Sequence, residues 1–448
     1  MLKRNAANFI TDWIDNKSDA LLVTGARQIG KTYTIRECLK KSGHQYIEFN
    51  FIDRPELISL FANASSADDL SMRISVAAGK PLMPGDTIIF LDEVQEFKDI
   101  ITRIKFLTEQ SSFRYICSGS LLGVELQDLR SAPVGYMEIL DMYPLNLSEF
   151  YTALGIQDDT LDMINKRFLS RTPVDEYINK KLIDAFYLYL IVGGMPEAVQ
   201  VYIDTNDIAR VSSVHEKIRR LYKQDFTKYE HNYKLKLSEI YEAIPSELNE
   251  KNKRFCINHI AGKTNFSRVS NDFLWLKDAG VALPVYNVTE PQSPLLVNEK
   301  RSLFKLFMSD VGLLTSCYPQ NVKFMILNQD SEINNGSLFE NAVIQELVSH
   351  GIKPYYFNSK SQGEIDALIE LDGHVLPIEV KSGKDYEKHS AINNILADKG
   401  YDIPTGYVLG NTNIDQDGKI LYLPIYMISC IYETQMNDSH YKIDLSGL

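Results

Sequence analysis

Residues 20–35 read ALLVTGARQIGKTYTI, and the fold turns on how that stretch divides. Ala20 to Val23 is an unbroken apolar run, the pattern of a strand buried on both faces of a parallel sheet. Gly25, Ala26, Arg27, Gln28, Ile29, Gly30, Lys31 and Thr32 fit G-x-x-x-x-G-K-[ST]. Tyr33 to Lys41 is compatible with a helix. In that order the three parts form a phosphate cradle. Glycines let backbone N–H groups converge on phosphate oxygens, and the positive helix end adds to the attraction. The expected ligands are ATP and Mg²⁺, with Lys31 on the β- and γ-phosphates and the Thr32 hydroxyl on the metal. The alternative, a chance match in a glycine turn, is opposed by the strand before and the helix after.

Working outward, 448 residues predict two to three domains. A net charge of −12 and a pI near 5.3 argue against a protein that coats nucleic acid with its whole surface. Any DNA contact must then come from local basic patches. The five cysteines form no C-x-x-C pair, which fits reduced thiols in a cytoplasmic protein better than a zinc site or a disulfide framework. The first fifteen residues lack an apolar h-region, and the longest apolar run is about half a membrane span, so no membrane association is expected.

Residues 1–19 read as an amphipathic helix with Phe9, Trp13 and Ile14 on its stripe. Gln45 to Phe51 alternates as a strand does. Thr87 to Leu91 is a second buried strand, ending in Asp92 and Glu93. That position delivers two carboxylates beside the phosphate loop. Asp92 is expected to hold Mg²⁺ through water, and Glu93 to act as general base on the attacking water. A third strand, Arg114 to Ser120, ends in small polar residues, where Ser118 or Ser120 also suits a helix N-cap. Strands alternating with helices predict a parallel sheet with helices on both faces.

The runs GARQIGKT, IIFLDEVQ, CSGSLL and MYPLNLSEF (142–150), followed by LIVGGMPEAV (190–199), YKQDFTKY (222–229), FKLFMSDVGLL (304–314) and SLFENAVIQEL (337–347), resemble a prokaryotic family of AAA-type ATPases. That family carries an uncharacterised C-terminal region ending in a nuclease-like fold. The resemblance implies that Ser118 or Ser120 senses the γ-phosphate. It also implies an arginine after Gly135, where this chain has Tyr136. An arginine-finger role is then vacant or passes to Arg130 or another residue.

Gly155 to Val174 reads as a polar connector, and helices are expected from Asp175 to Leu248. Within them, His215 to Lys236 holds seven Lys or Arg (Lys217, Arg219, Arg220, Lys223, Lys228, Lys234, Lys236) against three acids. This is the stretch best placed to meet phosphate, unless it is a solvated helix face. Arg219 or Arg220 is a further arginine-finger candidate. Phe255 to Val297 reads as a winged-helix module, its second helix showing Arg268, Asn271, Asp272 and Lys277 outward. Such modules join proteins as well as read DNA.

Pro319 to Gly336 is loop-rich. The helix Ser337 to His350 then places Glu340, Val343, Ile344 and Leu347 on one face. Gly363 to Ile369 and Val375 to Lys381 read as a hairpin turning at Asp372-Gly373. Period two puts Glu364 with Asp366, and Glu379 with Lys381. The set resembles a PD-(D/E)xK nuclease core, which implies Mg²⁺ or Mn²⁺ on Glu340, Asp366 and Glu379, with Lys381 orienting or deprotonating a water. The alternative is a solvated Glu–Lys cross-strand pair. The expected class is α/β: a P-loop NTPase sheet over 1–155, a helical and winged-helix region over 175–318, and a nuclease-like α/β domain over 333–448. Two functions remain open: an ATPase coupled to nucleic-acid binding or cleavage, and an ATP-dependent switch on a protein partner with a silent nuclease fold.

Overall fold

The apolar runs become buried parallel strands in the computed structural model, which describes residues 2–97, 99–110, 113–120, 135–229, 237–261, 266–383 and 386–433. The first sheet contains β1 (Ala20–Thr24), β2 (Tyr46–Asn50), β3 (Ile88–Asp92), β4 (Arg114–Ser118) and β5 (Met137–Asp141). Their order is β2-β3-β4-β1-β5, and every pairing is parallel. β1 and β3 are buried along their whole length, as continuous apolar runs require. β2 lies at the edge and buries only alternate residues, Ile47 and Phe49. Each fully buried Leu, Ile or Phe contributes roughly 1.5–3 kcal/mol. The register sets Val23 and Asp92 opposite Ser118 from either side, so β1, β3 and β4 end together beneath the phosphate loop.

The N-terminal helix Asn5–Asn16 packs beside the phosphate-loop helix Lys31–Ser42. Its buried residues are Ile10, Trp13 and Ile14, while Phe9 is 40% exposed, so the stripe is one residue off the expected set. On the other face, helices at 56–62, 67–78 and 99–110 cover Leu22, Ile89 and Leu91. The expected connector after residue 155 contains a helix, Asp158–Ser170, and the loop-rich stretch after 319 contains another, Gln320–Leu327.

A second, mixed sheet contains β6 (Ala282–Val288), β7 (Glu299–Met308), β8 (Tyr355–Ser359), β9 (Gly363–Leu371), β10 (His374–Val380), β11 (Gly406–Gly410), β12 (Asp415–Asp417) and β13 (Ile420–Pro424). The order is β12-β13-β11-β10-β9-β8-β6-β7. β9 and β10 form the expected hairpin, with Asp372 and Gly373 both at positive φ. The border expected between 318 and 333 does not interrupt this sheet. β6 runs parallel to β8, so the strand read as a wing is an inner strand here. The helix Phe266–Asp278 buries Phe273, Trp275 and Leu276. Asp272, expected to face outward, is buried, while Asn271 and Lys277 are exposed.

The helix Gly336–Ser349 is buried on all sides from Ser337 to Leu347, the pattern of a central helix. Its Glu346 carboxylate accepts the Leu147 N–H at 2.9 Å, at the first turn of the helix Leu147–Ala153. The GGMPEA and SDVGLL runs meet at Asp310, which is fully buried and accepts the N–H groups of Gly194 (2.6 Å) and Leu313 (2.9 Å). One apolar core joins the first sheet to the rest of the chain.

Candidate functional site

Gly25 stands at φ +131°, and a Cβ there would lie 2.3 Å from the Met142 carbonyl oxygen, so the loop passes where no other residue fits. Gln28 and Gly30 also take positive φ, which turns the chain into the helix beginning at Lys31. Lys31 is 9% exposed, and its ammonium donates to the carbonyls of Gly25 (2.9 Å) and Ala26 (2.7 Å). Burial lowers its pKa to about 8, against the raising effect of Glu93 and Asp92.

Asp92 is 2% exposed and is surrounded by donors. The Thr32 hydroxyl reaches its two oxygens at 3.0 and 3.2 Å, Asn50 Nδ2 reaches Oδ2 at 2.9 Å, and the Ser118 hydroxyl donates to Oδ1. Burial pushes the Asp92 carboxyl above the usual range, an effect opposed chiefly by the Ser118 hydrogen bond. The structure therefore brings Lys31, Thr32, Asp92 and Ser118 together. Ser118 is held on the carboxylate. Glu93 follows at φ +58°, and its Oε2 accepts from Gln95 Nε2 at 2.6 Å. The donor set suits Mg²⁺: Thr32 and Asp92 supply hard oxygens at the phosphate end of the loop.

Sequence reasoning missed the residues that grip this loop from outside. Arg27 Nη1 donates to Asp225 Oδ1, and the Tyr222 hydroxyl donates to the Arg27 carbonyl, both from the helix Ile208–Tyr229. A Cβ on Gly280, between the helix Phe266–Asp278 and β6, would lie 2.9 Å from the Ala26 nitrogen. Arg4 holds the far side, donating to the Ile29 carbonyl at 2.9 Å and the Tyr143 carbonyl at 2.6 Å while paired with buried Glu149.

The expected basic face is largely self-neutralised. Lys217 pairs with Glu197, Arg220 with Glu216, Lys223 with Glu242, and Lys228 lies 3.7 Å from Asp225. Lys234, Lys236 and Arg130 lie outside the described residues, as does the side chain of Arg268. Arg219 is turned inward, its Nε buried without a hydrogen-bond partner.

At the second sheet buried Glu340 and Glu379 form one cluster with half-buried Asp366, in which Glu340 shares a hydrogen bond with Asp366. Lys381 Nζ donates to Glu379 Oε1 at 2.7 Å, and Asp366 Oδ2 accepts the Val380 N–H at 2.8 Å. Two lysines that the sequence did not single out complete it. Lys253 Nζ contacts Glu340 Oε1. Lys305, fully buried on β7, lies 3.5 Å from Glu340 Oε2 and 2.7 Å from Glu364 Oε1. Burial and the charges of Glu340 and Glu379 push the Asp366 carboxyl well above its ordinary range. Glu340 goes the other way: burial would raise it, but Lys305 and Lys253 hold it below the usual carboxylate value. Four carboxylates, Glu340, Glu364, Asp366 and Glu379, face three ammoniums, Lys253, Lys305 and Lys381. Among the described residues, no three His, Cys, Asp or Glu side chains are grouped to hold a metal ion. As folded, the cluster does not fit the expected Mg²⁺ or Mn²⁺, because lysine ammoniums stand on its oxygens.

Among the described residues, no helix is long and apolar enough to cross a membrane. Residues 17–151 match a family model described as an AAA domain (AAA_14). Residues 183–323 and 335–428 match two domains of unknown function, DUF8612 and DUF4143. No curated protein matches the chain. Similar solved structures include the Walker-type ATPase PABY2304 of Pyrococcus abyssi, at 13% identity and TM-score 0.42, over 70% of this chain and 95% of that one. AMPPCP-bound DnaA from Aquifex aeolicus is similar at 11% identity and TM-score 0.30, over 55% and 73%. The Aeropyrum pernix ORC1 protein in complex with DNA is similar at 15% and 0.26, over 73% and 91%. The chain thus carries an AAA-type P-loop ATPase domain followed by two segments from families without an assigned function.

Proposed function

We propose that this chain is an ATP-hydrolysing switch whose nucleotide state is passed from the phosphate loop to the segments beyond residue 155, and through them to a protein partner. The observation that carries the hydrolysis is the placement of Asp92 under Thr32, Asn50 and Ser118 at the strand ends beside Lys31. The loop N–H groups and Lys31 bind the β- and γ-phosphates. Thr32 and Asp92 would hold Mg²⁺, which neutralises phosphate charge when bound. Glu93, one residue beyond Asp92, takes a proton from the attacking water. Arg27 and Ala26 line the phosphates and are gripped by Asp225, Tyr222 and Gly280, which supports transmission of a loop movement to those elements.

ATP turnover in two variants tests the reading. Lys31→Ala should lose nucleotide binding, and Glu93→Gln should bind ATP while turning over at least about a hundredfold more slowly. Undiminished turnover in both would overturn the assignment.

Coupling to nucleic acid is the second reading, favoured by Glu340 of the central helix meeting Asp366, Glu379 and Lys381 at the second sheet. The lysine pairings within that cluster and the paired basic helix support the protein-partner reading over it. The two separate in one titration. A switch of this kind shows little salt-dependent DNA affinity, whereas tight binding that falls steeply with salt, together with nicking in Mn²⁺ that Lys381→Ala abolishes, would establish the second.

A further inference from the structure

The helix Ile208–Tyr229 carries a line of polar side chains on the face that grips the phosphate loop. Ser212, His215, Arg219 and Tyr222 recur at spacings of three, four and three, so they share that face. At one end the Tyr222 hydroxyl donates to the Arg27 carbonyl. At the other end the face meets Lys323 of the helix Gln320–Leu327, whose ammonium donates to the Ser212 hydroxyl oxygen at 2.9 Å.

This end carries more positive charge than the chain around it neutralises. Lys323 is 4% exposed and Arg219 is turned inward, yet among the described residues neither pairs with a carboxylate. Lys323 also stands in the first turn of its helix, where the backbone adds positive potential. Burial and the charge of Arg219 lower its pKa, against the opposing effect of the Cys317 thiol. His215 stays neutral beside them: burial lowers its pKa to about 4 against the Val192 hydrogen bond, and Lys323 and Arg219 add to the lowering. Asp310, an acid that acts on nearby Tyr241, has its oxygens on the N–H groups of Gly194 and Leu313.

Two donors here have no partner. Arg219 Nε is buried without a hydrogen bond, and so is the hydroxyl of Tyr241, a residue that is 0% exposed. Tyr241 lies on the following helix, Leu237–Asn249, within electrostatic reach of Arg219 and Cys317. Buried donors without acceptors are costly, and an acceptor from outside the chain relieves them. Two cations, a hydroxyl and the positive end of a helix suit a tetrahedral oxyanion. Gln320 is exposed, and Ser212, Arg219 and Cys317 are half-buried, which gives an ion a way in from solvent.

We propose that Arg219, Lys323 and Tyr241 form a phosphate-binding site separate from the phosphate loop, filled by a phosphate ion or by a phosphate group on a partner. Arg219 and Lys323 supply the charge, and Tyr241 supplies a hydroxyl donor. The site does not rest on the nucleotide reading, since none of the three residues belongs to the phosphate loop.

Binding of inorganic phosphate to the full-length Lys31→Ala chain tests it, a background that weakens the anion affinity of the phosphate loop. Calorimetry and melting temperature are read at constant ionic strength, with sodium chloride as the control. One phosphate per chain should bind with a dissociation constant of about 1 mM or below and raise the melting temperature. Adding Lys323→Met or Arg219→Gln should weaken that binding at least about tenfold and remove the rise, as expected for the loss of a charged hydrogen bond. Tyr241→Phe keeps the ring and should weaken it by roughly two- to tenfold. Phenyl phosphate is the second probe. Binding as tight as that of the free ion assigns the site to an esterified phosphate, and exclusion assigns it to the ion itself; either result supports the site. The proposal is overturned if inorganic phosphate does not bind the Lys31→Ala chain, or if chloride at matched ionic strength raises the melting temperature equally. It is overturned also if Lys323→Met and Arg219→Gln both bind phosphate as that chain does.

Discussion

Arg27 Nη1 lies 2.7 Å from Asp225 Oδ1, an ion pair between the phosphate loop and a helix 198 residues further on. Three residues before Asp225 on that helix, the Tyr222 hydroxyl donates to the Arg27 carbonyl. One face of one helix therefore holds both the side chain and the backbone of a residue in the phosphate loop. The Tyr222 ring packs edge-on to Tyr241 of the following helix, Leu237–Asn249.

The helix Ile208–Tyr229 should therefore sense nucleotide. Asp225 is 5% exposed and Arg27 31%, so Asp225→Ala should cost only about 1 kcal/mol, because water can reach the freed guanidinium. Its larger effect should be on transmission. Hydrogen exchange in residues 208–229 should change on adding a non-hydrolysable ATP analogue to the wild type, and that change should shrink in the variant. Equal responses in both would show that the pair plays no part in transmission.

Lys31, with its pKa lowered to about 8 by burial, gives nucleotide binding a pH signature. Above pH 8 the free protein loses the Lys31 proton, and phosphate binding must restore it. ATP affinity should therefore be full below pH 8 and fall as pH rises through that value toward the ordinary lysine range. Calorimetry at pH 8.5 in buffers of different ionisation enthalpy should report proton uptake on binding, and Lys31→Arg should abolish it.

Gly280 combines φ +72° with a 2.9 Å approach of its missing Cβ to the Ala26 nitrogen. Gly280→Ala should cost about 1–2 kcal/mol from the backbone alone. It should also weaken ATP binding beyond what that loss of stability explains, because the methyl group pushes on the loop. Affinity measured at a temperature where the variant is fully folded separates the two effects.

Asp310 is fully buried, and burial raises its pKa to about 6 against the lowering effect of its backbone hydrogen bonds. Its folded value lies above the unfolded one, near 3.9. Its contribution to stability is thus complete below about pH 4 and is lost as pH rises through 6. Between pH 7 and pH 5 the wild type should gain melting temperature relative to Asp310→Asn. Parallel curves across that window would assign the titration elsewhere.

The ATPase core was legible because its signals are local. Four apolar residues before Gly25 and a helix after Thr32 need nothing distant to be read, and Asp92 ends its strand in the same way. The second cluster was half legible: helical spacing placed Glu340, and period two placed Asp366 and Glu379. Its lysines were not, since Lys253 meets Glu340 across 87 residues of sequence. Lys305 did leave a trace. A lysine inside the apolar run Leu303 to Met308 must find a buried partner, and that need was there to be read. The helix Asp158–Ser170 was hidden by its many polar residues, although Leu161, Ile164 and Phe168 recur at helical spacing. The grip of Asp225 and Gly280 on the loop left no sequence signal, because it arises only from tertiary packing.

The hydrogen bond from the Leu147 N–H to Glu346 has a consequence for dissecting the molecule. A helix that completes the ATPase core receives the anion at its positive end from a residue 199 positions away, on the central helix of the other sheet. Fragments cut at the family borders leave that helix entrance without its counter-charge and strip an apolar wall from the core beside it. An isolated 17–151 piece would also leave the phosphate loop without Arg4, Tyr222, Asp225 and Gly280, so activity measured on it would not describe the loop as it stands in the intact chain.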